Sequence, residues 1–267
     1  MSGKAFLVDT TKCSGCRACQ VSCKQWNNLP GEPTKFFGGT EYTNPKELSA
    51  ITFNHVIFFP IDRSYPGKPL WMIMHKKCYH CEEANCQRIC PQNAISKVEG
   101  WTVIDQNRCI GCGACVNECV YKVPHVLDEN MKKYGADGII LKDKSYKCHA
   151  CMQNKRPVPL CAQHCPTGAL SFGDRAALLR RARTRVKQIQ AEYPHANLYG
   201  DEQFGGLRVL TILKDYPEKY GLPRDPKAIP IEKAEAIKST YQALALFTMG
   251  SSALKRMAYR MSRKMVG

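Results

Sequence analysis

The chain has 267 residues, 44% of them hydrophobic and 23% charged, which is enough apolar content for one or two small cores and excludes a disordered chain. Its 39 Lys and Arg against 23 Asp and Glu give a formal charge of +16 and a pI near 9.2. The basic residues are dispersed and no nucleic-acid-binding motif accompanies them, so nucleic acid is excluded in favour of an acidic protein partner or an anionic membrane face.

The amino terminus, MSGKAFLVDTTKC, reaches a cysteine before a charged segment, an apolar stretch and a cleavage site could fit, so no signal peptide is expected. The compartment is then either the cytoplasm or, for a chain exported attached to a signal-bearing partner, the periplasm. Phe6 to Val8 reads as a strand. Cys13, Cys16, Cys19 and Cys23 follow, spaced CxxCxxCxxxC. Pro30, Gly31, Pro33, Gly38, Gly39 and Pro45 mark a long loop, succeeded by strands at about 52–59 and 70–75. A stretched second group, Cys78, Cys81, Cys86 and Cys90, ends before Pro91. The Glu99-Gly100 turn then leads into Trp101, Val103 and Ile104, which predicts a hairpin. Cys109, Cys112, Cys115 and Cys119 repeat the first spacing, with Val120 after the last. Residues 121–146 hold a Gly135 and Gly138 turn and a strand-like Ile139 to Leu141. A fourth group, Cys148, Cys151, Cys161 and Cys165, precedes Pro166, and Ala169 to Phe172 reads as a strand.

Beyond this, Gly173 and Asp174 signal a helix start, and Leu178, Leu179, Ala182, Val186 and Ile189 recur at helical spacing, with the arginines facing outward. Pro194 ends that helix, and Leu207 to Leu213 reads as a strand added to an existing sheet. The tail from 232 to 267 contains an uncharged run between Lys238 and Lys255, diluted by Ser239, Thr240, Gln242, Thr248, Gly250, Ser251 and Ser252. A span needs about 20 mainly apolar residues, so none is expected. Arg256, Arg260, Arg263 and Lys264 make the tail basic, fit for a solvated face, partner docking or membrane-surface contact.

Four groups of four account for all 16 cysteines. CxxCxxC supplies three thiolates from one tight loop, as a cubane 4Fe-4S cluster requires. The fourth cysteine, often followed by proline, usually starts a helix that turns away and ligates the cluster of a partner motif. Four clusters are therefore expected, with motifs working in pairs. Four zinc sites, a disulfide framework and redox-active thiols are the alternatives, but zinc normally joins two separated CxxC knuckles and disulfide frameworks suit small secreted chains. No cysteine is left over as a nucleophile, and the sequence contains no CxxCH, phosphate loop or GxGxxG after a strand. His80, His149 and His164 adjoin cluster cysteines and are read as supporting or solvent-facing groups, because thiolates already fill the ligand count. Four oxidised clusters at about −2 each leave a net charge of roughly +8. The chain thus reads as a conductor of electrons without bond chemistry of its own. The organisation expected is α+β: two ferredoxin-like two-cluster modules, one nested in the other, with a C-terminal helical extension. The outer module takes 1–76 plus 122–173, the inner one 77–121, the helix and strand extension 174–231 and the tail 232–267.

The four motifs resemble the four-cluster iron-sulfur subunits of molybdenum and tungsten enzymes, a family that includes respiratory formate dehydrogenase, DMSO reductase and polysulfide reductase. Cys16 to Trp26, Cys165 to Gly173, and the HANLYG, FGG and YGLPRDP segments look most like the formate dehydrogenase beta subunit, over about residues 5–228. The resemblance implies that Cys13, Cys16, Cys19 and Cys165 hold one cluster, and Cys148, Cys151, Cys161 and Cys23 a second. It also implies Cys78, Cys81, Cys86 and Cys119 for a third, and Cys109, Cys112, Cys115 and Cys90 for the fourth. The outer pair would lie nearer a molybdenum or tungsten bis-pterin catalytic subunit. Membrane-bound members add a transmembrane helix where this chain has its basic tail. A cytochrome subunit, a multihaem cytochrome c, a hydrogenase or a ferredoxin is then the implied acceptor. An aldehyde oxidoreductase or a sulfur, oxyanion or sulfoxide reductase is the alternative catalytic partner.

Overall fold

The computed structural model describes residues 3–32, 34, 42–63, 65, 67, 69–127, 144–152 and 156–264, with side chains to residue 247. The central sheet joins both ends of the cluster-bearing region. Strand β1 (Lys4–Asp9) pairs antiparallel with β8 (Leu170–Asp174) on one side and parallel with β10 (Val209–Leu213) on the other, and β10 pairs antiparallel with β9 (Asn197–Tyr199). Both β1 and β10 are mainly apolar, broken by Lys4 and Asp9 at the ends of β1 and by Thr211 in β10, and every residue of each except Lys4 is buried, as expected for strands covered on two faces. The strand foreseen at 207–213 thus joins an existing sheet, whereas three-residue β9 is too short to leave a period in the sequence.

Helix α5 (Arg175–Ile189) covers one face of this sheet through Leu178, Ala182, Val186 and Ile189, all buried. The Asp174 carboxylate accepts the Ala177 N–H at 2.9 Å and caps the helix. Its arginines do not all face outward. Arg175 is buried and donates to the carbonyls of Leu207, Gly200 and Asp201 and to the Asp201 carboxylate. Arg185 reaches back to Asp9 at 3.2 Å. The 3.6-residue period marks which side of a helix is buried, but it cannot show where a long cation at the first turn finds carbonyls.

On the other face of the sheet, Phe6 meets Trp101 and Phe172 edge-on at 5.5 and 5.0 Å. Trp101 belongs to the hairpin of β4 (Ile95–Val98) and β5 (Trp101–Ile104), whose register pairs Val98 with Trp101 across Glu99 and Gly100. Both turn residues have positive φ, 49° and 82°, as a two-residue hairpin turn with the native strand twist requires. A second hairpin, β2 (Asn54–Phe58) with β3 (Ile73–Lys77), starts and ends later than the foreseen 70–75 strand. A third, β6 (His125–Val126) with β7 (Ser145–Tyr146), has two residues a side and no sequence signal. The Gly135 and Gly138 turn and the Ile139 to Leu141 strand lie outside the described residues.

The cysteine motifs carry short helices: α1 (Ala18–Trp26), α2 (Asn85–Arg88), α3 (Ala114–Asn117) and α4 (Leu160–Gln163). These helices do not start at the fourth cysteine. In motifs two, three and four they end just before Cys90, Cys119 and Cys165, because the third cysteine needs the turn that brings it back toward the first two. The last described element is α6 (Ile231–Lys264), whose first turns lie against α2 and the start of α3. There Ala234 packs with Ile89 and Ala114, flanked by Ile229, Ile237 and Tyr241.

Candidate metal centres

Each motif opens with two cysteines on a loop and sets its third on a helix. In motif one the loop turns at Gly15, φ +72°, where a Cβ would lie 2.5 Å from the Phe58 ring, so both backbone conformation and space call for glycine. Cys19 and Cys23 then fall on α1 four residues apart.

Three cavities are lined by the cysteines. The first is bordered by Cys13, Cys16, Cys19 and Cys165. The second is bordered by Cys23, Cys148, Cys151 and Cys161. Cys90, Cys109, Cys112 and Cys115 border the third. The remaining four also stand together: Cys86 and Cys81 each interact electrostatically with Cys78 and Cys119. Every cavity takes three cysteines from one motif and the last cysteine of another, far away in sequence. Cys16 and Cys112 are exposed, and the other cysteines are partly or fully buried.

Burial pushes the thiols of Cys115 and Cys148 up to about 12 and those of Cys19 and Cys81 further, with neighbouring cysteines adding to the rise at all four. Four thiolates cannot coexist in such a space unless a multivalent cation compensates them. The surrounding backbone is arranged for sulfur anions. The N–H groups of His80, Ala94, Ser145, Ala150 and Leu170 donate to Cys78, Cys90, Cys109, Cys148 and Cys165 at 3.4, 3.2, 3.4, 3.4 and 3.3 Å. The Ser145 hydroxyl lies 3.2 Å from Cys115 Sγ, and Asn27 Nδ2 3.7 Å from Cys23 Sγ. His75 borders the first cavity with neither ring nitrogen satisfied by protein, and inorganic sulfide would supply an acceptor there. The donor set therefore fits polynuclear iron-sulfur groups. Hydrogen bonds to their sulfurs favour the reduced state and raise the potential.

Of the histidines singled out from sequence, His80 and His149 are buried and His164 is exposed. His149 Nε2 lies 2.9 Å from Asn27 Oδ1, which itself approaches Cys23. Sequence reasoning missed His75, Lys77 and Lys147. The signal available was adjacency for the two lysines, which directly precede Cys78 and Cys148; His75 carried none, since it lies far along the chain from the cysteines it faces.

A 4Fe-4S dicluster domain matches residues 69–175, and a second 4Fe-4S dicluster domain matches residues 12–94. The nitrate-inducible formate dehydrogenase iron-sulfur subunit of Escherichia coli K12 is 35% identical over 231 residues, covering 84% of this chain and 73% of that protein. The formate dehydrogenase iron-sulfur subunit of Haemophilus influenzae is 31% identical over 264 residues, covering 96% and 79%. Formate dehydrogenase 2 subunit beta (cytochrome c-553) of Nitratidesulfovibrio vulgaris is 27% identical over 231 residues, covering 81% and 97%. With four cysteine quartets, two dicluster domains and this likeness along most of its length, the chain belongs to the family of formate dehydrogenase iron-sulfur subunits.

Proposed function

We propose that this chain is the non-catalytic electron-transfer subunit of a formate dehydrogenase, relaying electrons from a molybdenum- or tungsten-pterin catalytic subunit to a downstream acceptor. The observation that carries this reading is the make-up of the cavities, each ringed by cysteines of two distant motifs. The ligand sets are Cys13, Cys16, Cys19 and Cys165; Cys148, Cys151, Cys161 and Cys23; Cys78, Cys81, Cys86 and Cys119; and Cys109, Cys112, Cys115 and Cys90. Motifs one and four then form an outer module over 1–76 and 122–173, and motifs two and three an inner one over 77–121. The pairing of β1 with β8 and the β4–β5 hairpin support that nesting.

Each cluster, when bound, accepts and passes one electron at a time. The protein's part is to hold the sites in a row and keep them dry. Cys19 faces Cys161, Cys148 faces Cys78, and Cys86 packs in the same apolar group as Cys90, Cys109 and Cys115 of the neighbouring set. In that order the exposed Cys16 and Cys112 fall in the two end sets, which supports an entry at one end and an exit at the other. One relative's name carries cytochrome c-553, which favours a cytochrome as acceptor. No helix of the described residues is long and apolar enough to cross a membrane. The test is anaerobic purification with the native partner. About sixteen iron atoms with matching sulfide and formate-dependent dye reduction are expected; absence of that reduction would remove formate dehydrogenase as the parent enzyme.

A further inference from the structure

Two lysines are buried at equivalent places. Lys77 precedes Cys78 and Lys147 precedes Cys148, each opening a Lys-Cys-x-x-Cys segment, and their exposures are 1% and 5%. A buried ammonium is strongly disfavoured without an anionic partner. Among the described residues no carboxylate pairs with either. Their partners are sulfur and carbonyl groups, and the two arrangements are crossed. Lys77 Nζ lies 3.8 Å from Cys161 Sγ and over the Phe6 ring, and it borders the cavity of Cys23, Cys148, Cys151 and Cys161. Lys147 donates to Thr102 O, whose residue reaches Cys81 O through its hydroxyl, and to Cys148 O at 3.3 Å; its charge acts on Cys78, Cys86 and Cys119 and also on Cys148. Each lysine thus emerges beside the first cysteine of its own motif and turns its charge chiefly on the quartet of the other.

Those two quartets are the central pair, with Cys148 close enough to Cys78 for their charges to interact. The junction also holds the buried imidazoles of His80 and His149. Lys97, half-buried against Cys81 O, is a further cation beside the Cys78 quartet, and its charge acts on Cys81, Cys86 and Cys78. We propose that Lys77 and Lys147 are a crossed pair of positioning residues that raise the reduction potentials of the two central clusters: Lys77 at the Cys23, Cys148, Cys151 and Cys161 site, Lys147 at the Cys78, Cys81, Cys86 and Cys119 site. The inference rests on the ligand sets given above. An electron entering a poorly solvated site is favoured by a fixed cation beside it. Two adjacent anionic centres without such cations would repel the transferring electron at the crossing between modules.

The test is an EPR-monitored redox titration of the complex with its native partner, with the two central signals assigned by Cys151→Ser and Cys81→Ser variants. Lys77→Met should lower the reduced-to-oxidised ratio of the Cys148 site at fixed potential roughly tenfold, about 59 mV for a one-electron couple, and move the Cys78 site far less. Lys147→Met should do the reverse, and Lys→Arg at either position should hold the native potential. A shift confined to the lysine's own motif, no shift, or an arginine variant that shifts as far as methionine overturns the proposal. Where a Met variant loses a cluster, iron analysis should show a deficit of about four atoms. Loss of the other motif's signal then supports the crossing, and loss of the lysine's own signal overturns it. A Cys151→Ser variant that removed the Cys13-site signal would instead refute the ligand sets, and this inference with them.

Discussion

Cys165 belongs to motif four by sequence, yet it borders a cavity with Cys13, Cys16 and Cys19, and its sulfur accepts the Leu170 N–H. Replacing Cys165 with Ala should therefore abolish the EPR signal of the site built on motif one and spare the site built on Cys148; the opposite pattern would contradict the ligand sets. His55 offers a second residue-scale expectation. Burial, with Lys76 adding to it, holds its pKa down to about 4. A histidine depressed in the folded state binds fewer protons there than when unfolded, so its contribution is complete above about pH 6.5. That contribution is lost as pH falls toward 4, and its full size is on the order of 3 kcal/mol. Thermal unfolding midpoints should fall between pH 6.5 and 4, and a His55→Gln variant should lose less over the same range. An unchanged pH dependence in the variant would remove His55 as the cause.

At the scale of elements, one arginine ties the β4–β5 hairpin to the central sheet. Arg208 Nε donates to Gly100 O at 2.6 Å and Nη1 to Lys4 O at 2.9 Å, and its backbone N–H donates to Tyr79 O at 3.0 Å. Gly100 sits at φ +82°, and a Cβ there would collide with the Arg208 guanidinium. Gly100→Ala should lower stability by about 2 kcal/mol, from left-handed strain and displacement of that side chain. The loss in the Gly100→Ala and Arg208→Ala double variant, measured by denaturant unfolding, should be smaller than the sum of the single losses, since both remove the same contact. Strict additivity would show the two to be independent. The hairpin and its turn were legible in the sequence because Glu99-Gly100 is a local signal. The docking arginine was not, being more than a hundred residues distant.

For the whole molecule, the beginning of α6 belongs to the body rather than to a free tail. Ile229 N–H donates to Asn85 Oδ1 at 2.9 Å, Arg88 Nη1 to Ile229 O at 2.6 Å, Lys238 Nζ to Asn93 Oδ1 at 2.6 Å and Gln242 Nε2 to Pro91 O at 3.0 Å. Asn93, Pro91 and Asn85 flank Cys86 and Cys90. Truncation after Phe247 should leave about sixteen iron atoms, whereas truncation after Pro230 should expose Ile89 and Ala114 and reduce iron at the Cys90 site. Equal iron content in both truncations would show that this packing does not protect the cluster. Leu246 and Phe247, 72% and 76% exposed, lie past those contacts.

The sequence by itself determined the chemistry. Sixteen thiols in four spaced groups are a local property, because a loop of CxxCxxC is three donors whatever surrounds it. It also determined the β4–β5 hairpin and the buried stripe of α5, both written in residues a few positions apart. Only the tertiary structure shows the last cysteine of one motif bordering the cavity of another, which way Arg175 and Arg208 turn, and where the ammonium groups of Lys77 and Lys147 come to rest. Those depend on how β1, β8 and β10 bring remote segments side by side. A long side chain in a poorly solvated interior goes where a carbonyl or a sulfur can satisfy it, and that partner carries no mark in the neighbouring residues.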